Sequence, residues 1–187
     1  MAAQFVTKGY GQVEANRLTA MVNGEMESQA PAYTDASAGT PIPELENGMF
    51  LCVIADENNK SPMGRIAVLP AAAPADAVPM LVYSEKKIYD ERKGYADFVD
   101  VAAEKVDGVL YPRLFRCTPD VDVFTTNTVN AGAGTLEVGD ILYVGDDGYL
   151  TETAATNTTI QFAVTKVYTM PDGQPGVKLL CQRKPGA

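Results

Sequence analysis

Leu136-Glu137-Val138-Gly139-Asp140-Ile141-Leu142-Tyr143-Val144-Gly145-Asp146-Asp147-Gly148-Tyr149-Leu150-Thr151 is the stretch on which the reading of the fold turns. Strand-like apolar runs flank a polar turn, and Asp147-Gly148 signals a hairpin because tight turns that match strand twist need positive φ, which Asp and Gly tolerate. After a polar spacer come two more β-rich runs, Ile160–Met170 and Val177–Gln182, and Pro171-Asp172-Gly173-Gln174-Pro175-Gly176 closes them into a second hairpin. Tandem hairpins predict a mainly β fold, an antiparallel β-barrel or sandwich, rather than a βαβ unit.

Upstream, Met49-Phe50-Leu51-Cys52-Val53-Ile54-Ala55 is almost continuously apolar, as a strand buried on both faces would be. Arg65–Leu69 and Val78–Ser84 read as further strands, forming a sheet on which the carboxy-terminal hairpins close. Val109–Cys117 and Val121–Thr126 also have strand character, with Thr118-Pro119-Asp120 turning the chain between them. Thr40-Pro41-Ile42-Pro43 is a stiff, extended entry into this body, because proline fixes φ and pushes the residue before it to extended geometry.

Residues 1–40 look different. They lack enough periodic apolar surface to fold alone, and a weak helix over Asn16–Met26 would be stopped by Asn23-Gly24. Phe5, Val6, Tyr10 and Val13 are anchors that a merely solvating tail seldom carries, so the segment reads as an extended N-terminal arm. The β-rich body then spans 41–187, with a division into lobes 41–107 and 108–187 left open. Between Glu85 and Asp107 lies the most charged stretch, in which Tyr95, Phe98, Val99 and Ala102 have helical spacing. A short helix or compact loop capping one end of the body is expected there; its tyrosines and mixed charge also suit a partner-facing protrusion.

The formal net charge of −9 and the pI near 4.5 oppose direct nucleic-acid binding, which relies on clustered Lys and Arg. No apolar run is long enough to span a bilayer, and Met1-Ala2-Ala3-Gln4-Phe5 lacks a signal-peptide pattern. A soluble, non-secreted protein without membrane partners is expected, in which the acceptor pattern Asn157-Thr158-Thr159 carries no meaning. Cys52, Cys117 and Cys181 are odd in number and sit in apolar runs, which predicts buried, reduced thiols.

Chemistry is hard to place. The chain has no histidine, which removes the commonest general base and metal ligand and any Ser-His-Asp or Cys-His apparatus. The cysteines have no CxxC spacing, and Gly9-Tyr10-Gly11 and Gly132-Ala133-Gly134 do not extend to a phosphate-cradling loop. Asp120 and Asp122 would share a strand face and Asp146 and Asp147 share a turn; turn aspartates usually serve backbone geometry rather than Ca²⁺. The expectation is a non-enzyme without cofactor or metal, a binding or structural protein.

Four stretches resemble the decoration, or cement, proteins of tailed-bacteriophage capsids. These are Phe5-Val6-Thr7-Lys8-Gly9-Tyr10-Gly11-Gln12-Val13-Glu14-Ala15-Asn16, Leu45-Glu46-Asn47-Gly48-Met49, Ile88-Tyr89-Asp90-Glu91-Arg92-Lys93-Gly94-Tyr95-Ala96-Asp97-Phe98 and Val138-Gly139-Asp140-Ile141-Leu142-Tyr143-Val144. The resemblance implies an outer β-rich body on an assembled shell, bridging neighbouring subunits of the major capsid protein. The implied partners are that protein and further copies of this chain, a homotrimer among the options; the implied location is the virion surface, with the host cytoplasm during assembly. Candidate interface residues are Phe5, Val6, Tyr10, Val13, Asn16, Tyr89, Arg92 and Tyr95. The alternative is a carbohydrate or host-surface binding module on the virion, with Tyr143, Tyr149 or Tyr168 stacking on a sugar.

Overall fold

The structure, a computed structural model, describes residues 10–35, 39–84, 87–90, 97–100, 103–130, 136–153 and 159–185. Two six-stranded sheets organise them. In the first, the order is β1 (Val13–Arg17), β12 (Val123–Thr126), β16 (Pro175–Arg183), β15 (Ile160–Thr169), β13 (Ile141–Val144) and β14 (Leu150–Thr151), with every neighbour antiparallel. The second has the order β2 (Met26–Glu27), β11 (Leu114–Arg116), β6 (Pro79–Val82), β4 (Phe50–Ala55), β5 (Arg65–Val68) and β3 (Ala32–Tyr33). Only the β3–β5 pair in it is parallel. Two open sheets packed together make a β-sandwich and not a closed barrel.

Side-chain alternation explains the layering. In β4, Phe50 points into the core shared with the first sheet, where it meets Phe124 and Phe162 at ring-centroid distances of 6.3 and 5.1 Å. Phe124 and Phe162 meet edge to face at 5.5 Å, a favoured aromatic geometry. Its neighbour Leu51 joins Val82, Leu114 and Leu110 in a second apolar cluster. The nearly unbroken apolar run 49–55 is therefore what a strand covered on both faces needs.

Both expected hairpins form. β13 and β14 pair Tyr143 with Thr151 and Val144 with Leu150 around a loop over 145–149. Gly148 serves that loop twice: its φ is +84°, and a Cβ there would stand 2.5 Å from the carbonyl oxygen of Phe50. The approach is close because Phe50 N–H donates to the Gly148 carbonyl, at 2.8 Å, stitching the turn to the other sheet. β15 and β16 pair along nearly their whole length, with a register shift between Val164 and Lys166.

The helix expected around Tyr95–Ala102 is overturned where the backbone is described. β7 (Lys87–Asp90) and β8 (Asp97–Asp100) form an antiparallel pair with Ile88 opposite Val99 and Tyr89 opposite Phe98. Those four β-branched and aromatic residues favour cross-strand pairing over the helical alternative. β9 (Ala103–Val106) and β10 (Val109–Pro112) form the next hairpin across Asp107-Gly108, with φ of +49° and +85°. Positive φ at both turn residues is the two-residue geometry that Asp-Gly favours. The α-helix among the described residues is α1 (Ala20–Asn23), ended by Gly24 at φ +72°, as the Asn23-Gly24 stop requires; Pro70–Ala72 form a single 3-10 turn.

The sheets also cut across the expected boundaries. β1, β2 and β3 all fall within residues 1–40 and pair into the two sheets, so the part of that segment from Val13 to Tyr33 is built into the sandwich rather than standing off as an arm. β11 completes the second sheet beside β6, so strands from both sides of 107/108 share it.

Candidate partner interface

Residues 10–17 lie along the edge of the first sheet, and a buried polar cluster holds their root. Asn127, wholly buried, accepts from Gln12 N–H through Oδ1 at 2.7 Å and donates through Nδ2 to the Tyr10 carbonyl at 3.2 Å. Thr126 Oγ1 donates to the Gln12 carbonyl at 2.8 Å and accepts from Thr128 N–H at 3.0 Å. Thr128 Oγ1 donates to the Asn47 carbonyl at 2.5 Å. Asn47 then clamps Ser84: its Oδ1 accepts from Ser84 N–H at 2.8 Å and its Nδ2 donates to the Ser84 carbonyl at 3.1 Å. The chain Tyr10–Gln12, Asn127–Thr128, Asn47, Ser84 is thus one connected network, buried throughout except at Tyr10.

Its geometry leaves no room for larger backbone. Gly48 has φ of +96°, and a Cβ there would collide with Thr126 Oγ1 and with Thr128. Such groups are fixed by their partners, since each buried N–H and C=O left unmet would cost about 1–3 kcal/mol. One end of the network is the entry to β1. The other, Ser84, is the last described residue before the β7–β8 hairpin.

Among the proposed interface residues, Phe5, Val6, Arg92 and Tyr95 lie outside the described residues. Tyr10 is half-buried, its hydroxyl donating to Asp172 Oδ2 at 3.2 Å. Val13 packs in the core between the sheets, so its side chain faces inward rather than toward a partner. Asn16 is exposed, with its Oδ1 accepting from Thr125 Oγ1 at 2.8 Å. Tyr89 sits in the middle of β7, opposite Phe98.

The three tyrosines weighed for sugar stacking are engaged within the chain. Tyr149 is half-buried and donates to Glu46 Oε2 at 3.2 Å; burial first, then the Glu46 charge, pushes its phenol above the ordinary range. Burial likewise raises the Glu46 carboxyl, opposed by the Tyr149 hydrogen bond. The Tyr168 ring has Lys166 Nζ at 5.1 Å and Lys178 Nζ at 5.8 Å from its centroid, and its hydroxyl donates to Glu14 Oε2 at 2.7 Å. Lys184 Nζ lies 5.8 Å from the centre of the Tyr143 ring.

The aspartates hold backbone. β12 begins only at Val123, so Asp120, at φ +62°, and Asp122 sit in a turn and not on a shared strand face. Asp122 is fully buried and accepts from Thr19 N–H and Thr118 N–H at 2.8 and 2.7 Å, and from Thr19 Oγ1. Asp147 Oδ1 accepts from Tyr149 N–H at 3.1 Å. Among the described residues no three His, Cys, Asp or Glu side chains converge as metal ligands, and no helix is long and apolar enough to cross a membrane. Cys52, Cys117 and Cys181 are buried free thiols, and burial pushes the thiols of Cys52 and Cys181 up to about 12.

Sequence reading missed the polar network. Thr125-Thr126-Asn127-Thr128 is a run of short polar side chains directly after an apolar strand, and that run was the available signal. Its partners at Gln12 and Asn47 lie 115 and 81 positions away, beyond any local pattern. Compared with family models, with curated proteins and with solved structures, the chain matches none.

Proposed function

We propose that this protein is a structural virion component that binds the outside of an assembled phage capsid and bridges neighbouring major capsid subunits. The observation that carries the reading is the shared mount at the Asn127–Asn47 network. Two of the stretches that resemble capsid decoration proteins meet that network in the chain: residues 5–16 include Tyr10 and Gln12, and residues 88–98 begin four positions after Ser84. A rigid mount that holds the chain at Tyr10–Gln12 and at Ser84 is what a bridge between subunits requires, because it fixes where two contact segments begin and lowers the ordering cost of binding. The sandwich supplies position, and the segment before residue 10 supplies reach. A protein that binds only the assembled lattice stabilises it by mass action. The carbohydrate-binding reading has less support, since Tyr149 is partly buried and the Tyr143 and Tyr168 rings carry lysines of the same chain.

Because β1 belongs to the sandwich, the informative truncation removes residues 2–9 and leaves Tyr10 onward. Occupancy of purified empty shells is then measured by sedimentation for the full chain and for the truncated one. The expected result is saturable binding of the full chain and at least about a tenfold weakening on truncation, equivalent to about 1.4 kcal/mol. Equal binding by both would remove the N-terminal segment from the interface. No binding of the full chain to any assembled shell, with binding to isolated glycans, would overturn the proposal.

A further inference from the structure

One end of the sandwich holds a cleft of about 270 Å³ where the last residue of β11, Arg116, and the last residue of β16, Arg183, both line the opening. Both arginines are exposed, and neither makes an ion pair with a carboxylate among the described residues, where Arg65 and Glu27 do. Thr159 lines the same cleft; its hydroxyl oxygen is buried and has no hydrogen-bond partner, although its carbonyl accepts from Lys184 N–H at 3.1 Å. Pro119, Ile160 and Cys117 form apolar walls, with Ile160 held opposite Arg183 in the β15–β16 register.

Two guanidiniums and an unpartnered hydroxyl therefore line one cleft. In a chain with 24 acidic and 15 basic residues, two guanidiniums that line one cleft without an ion pair to any described carboxylate stand out. The unmet hydroxyl is a cost, and an anionic oxygen acceptor would offset it while taking hydrogen bonds from the guanidiniums. The planar fork of arginine matches a carboxylate in two parallel hydrogen bonds. An inorganic oxyanion would use the donors and leave the apolar walls wet. A carboxylate on a short hydrocarbon stem uses both.

We propose that this cleft binds a carboxylate carried on an apolar stem, as a peptide carboxy-terminus or a glutamate side chain presents it, with Arg116 and Arg183 holding the charge and Thr159 the remaining oxygen. The site goes beyond the shell-binding reading and does not depend on it. The test uses the isolated full chain, labelled with ¹⁵N and titrated separately with butyrate, butanol and inorganic phosphate. Butyrate is expected to shift the amide signals of Cys117, Thr159, Ile160 and Arg183 saturably, while butanol leaves them in place. Arg116→Gln and Arg183→Gln are each expected to weaken butyrate by about tenfold or more, the range for losing a hydrogen bond to a charged group. Because both side chains are exposed, the rest of the spectrum serves to show that the fold is retained. A second arm compares a short peptide ending in a free valine carboxylate with an amidated peptide containing an internal glutamate. Binding of either supports the proposal and names the source. No saturable shift with butyrate, equal shifts with butanol, or tighter binding of phosphate than of butyrate would overturn it.

Discussion

The wedge of Phe50, Phe124 and Phe162 and the cluster around Asn127 are equally shut off from water, yet they hold the molecule in different ways. The wedge joins the two sheets through area and shape, without direction, so its stabilisation follows the apolar surface removed from water. The cluster joins β1, the turn at 46–48 and Ser84 through donor–acceptor pairs that depend on direction. The wedge therefore supplies cohesion, and the cluster fixes the entry to β1 and the backbone at Ser84. The two should fail differently.

The largest effect belongs to the wedge. Phe162→Ala removes a fully buried ring that touches both Phe50 and Phe124, and is expected to cost about 3–5 kcal/mol, the range for such truncations. At this chain length that is a fall in melting temperature on the order of 10 °C, readable by circular dichroism. Leu179→Met, at an equally buried site, keeps the volume and should cost less than about 1.5 kcal/mol. If the methionine variant falls as far as the alanine one, the core is not the shape-tolerant region that the comparison requires.

That difference in tolerance also sets what the sequence makes legible. An apolar interior leaves a period in the chain, so the strands at 50–55, 65–68, 79–82, 141–144, 160–169 and 175–183 can be read from runs and alternation. Positive φ leaves a composition, so Gly24 and the turn at 145–149 can be read as well. Where two patterns overlapped, the wrong one was legible. Tyr95, Phe98, Val99 and Ala102 match a helix by spacing, while the pairing of Ile88 with Val99 and of Tyr89 with Phe98 depends on a partner strand that spacing does not contain. The polar cluster leaves only the run Thr125–Thr128 as a local trace and the Arg116–Arg183 cleft leaves none, because the partners of each are brought together only by the completed sandwich.

The middle effect tests the directional half of the comparison. Asn127→Ala strips the acceptor from Gln12 N–H and the donor from the Tyr10 carbonyl, at an expected cost of about 2 kcal/mol. Asn127→Leu, which restores the volume, should recover little of it, in contrast to the volume-conserving swap in the core. Hydrogen exchange gives the sharper readout. The amides of residues 12–17 should lose protection in both variants more than those of 160–169, because the cluster anchors the edge strand locally. Uniform loss across both strands would mean that Asn127 serves global stability alone, and the mount argument would lose its support.

The smallest effect lies at the border between the two regions, where Glu46 meets Tyr149. Burial raises the Glu46 carboxyl in the folded state above its unfolded value of about 4.3, so the folded chain holds this proton more tightly. Between those two values the native state binds more protons than the unfolded one, and linkage then makes stability fall as pH rises through that window. Glu46→Gln carries no charge to desolvate and keeps an oxygen that can accept from the Tyr149 hydroxyl. It is expected to match or exceed the parent at pH 7 by less than about 1 kcal/mol, the scale of partly exposed charge interactions, and to lack this part of the decline above pH 4. Urea unfolding at pH 4, 5, 6 and 7 would measure it. A variant less stable than the parent at pH 7 would show that the hydrogen bond from Tyr149 outweighs the burial of the charge, and would place Glu46 with the directional cluster rather than at its border.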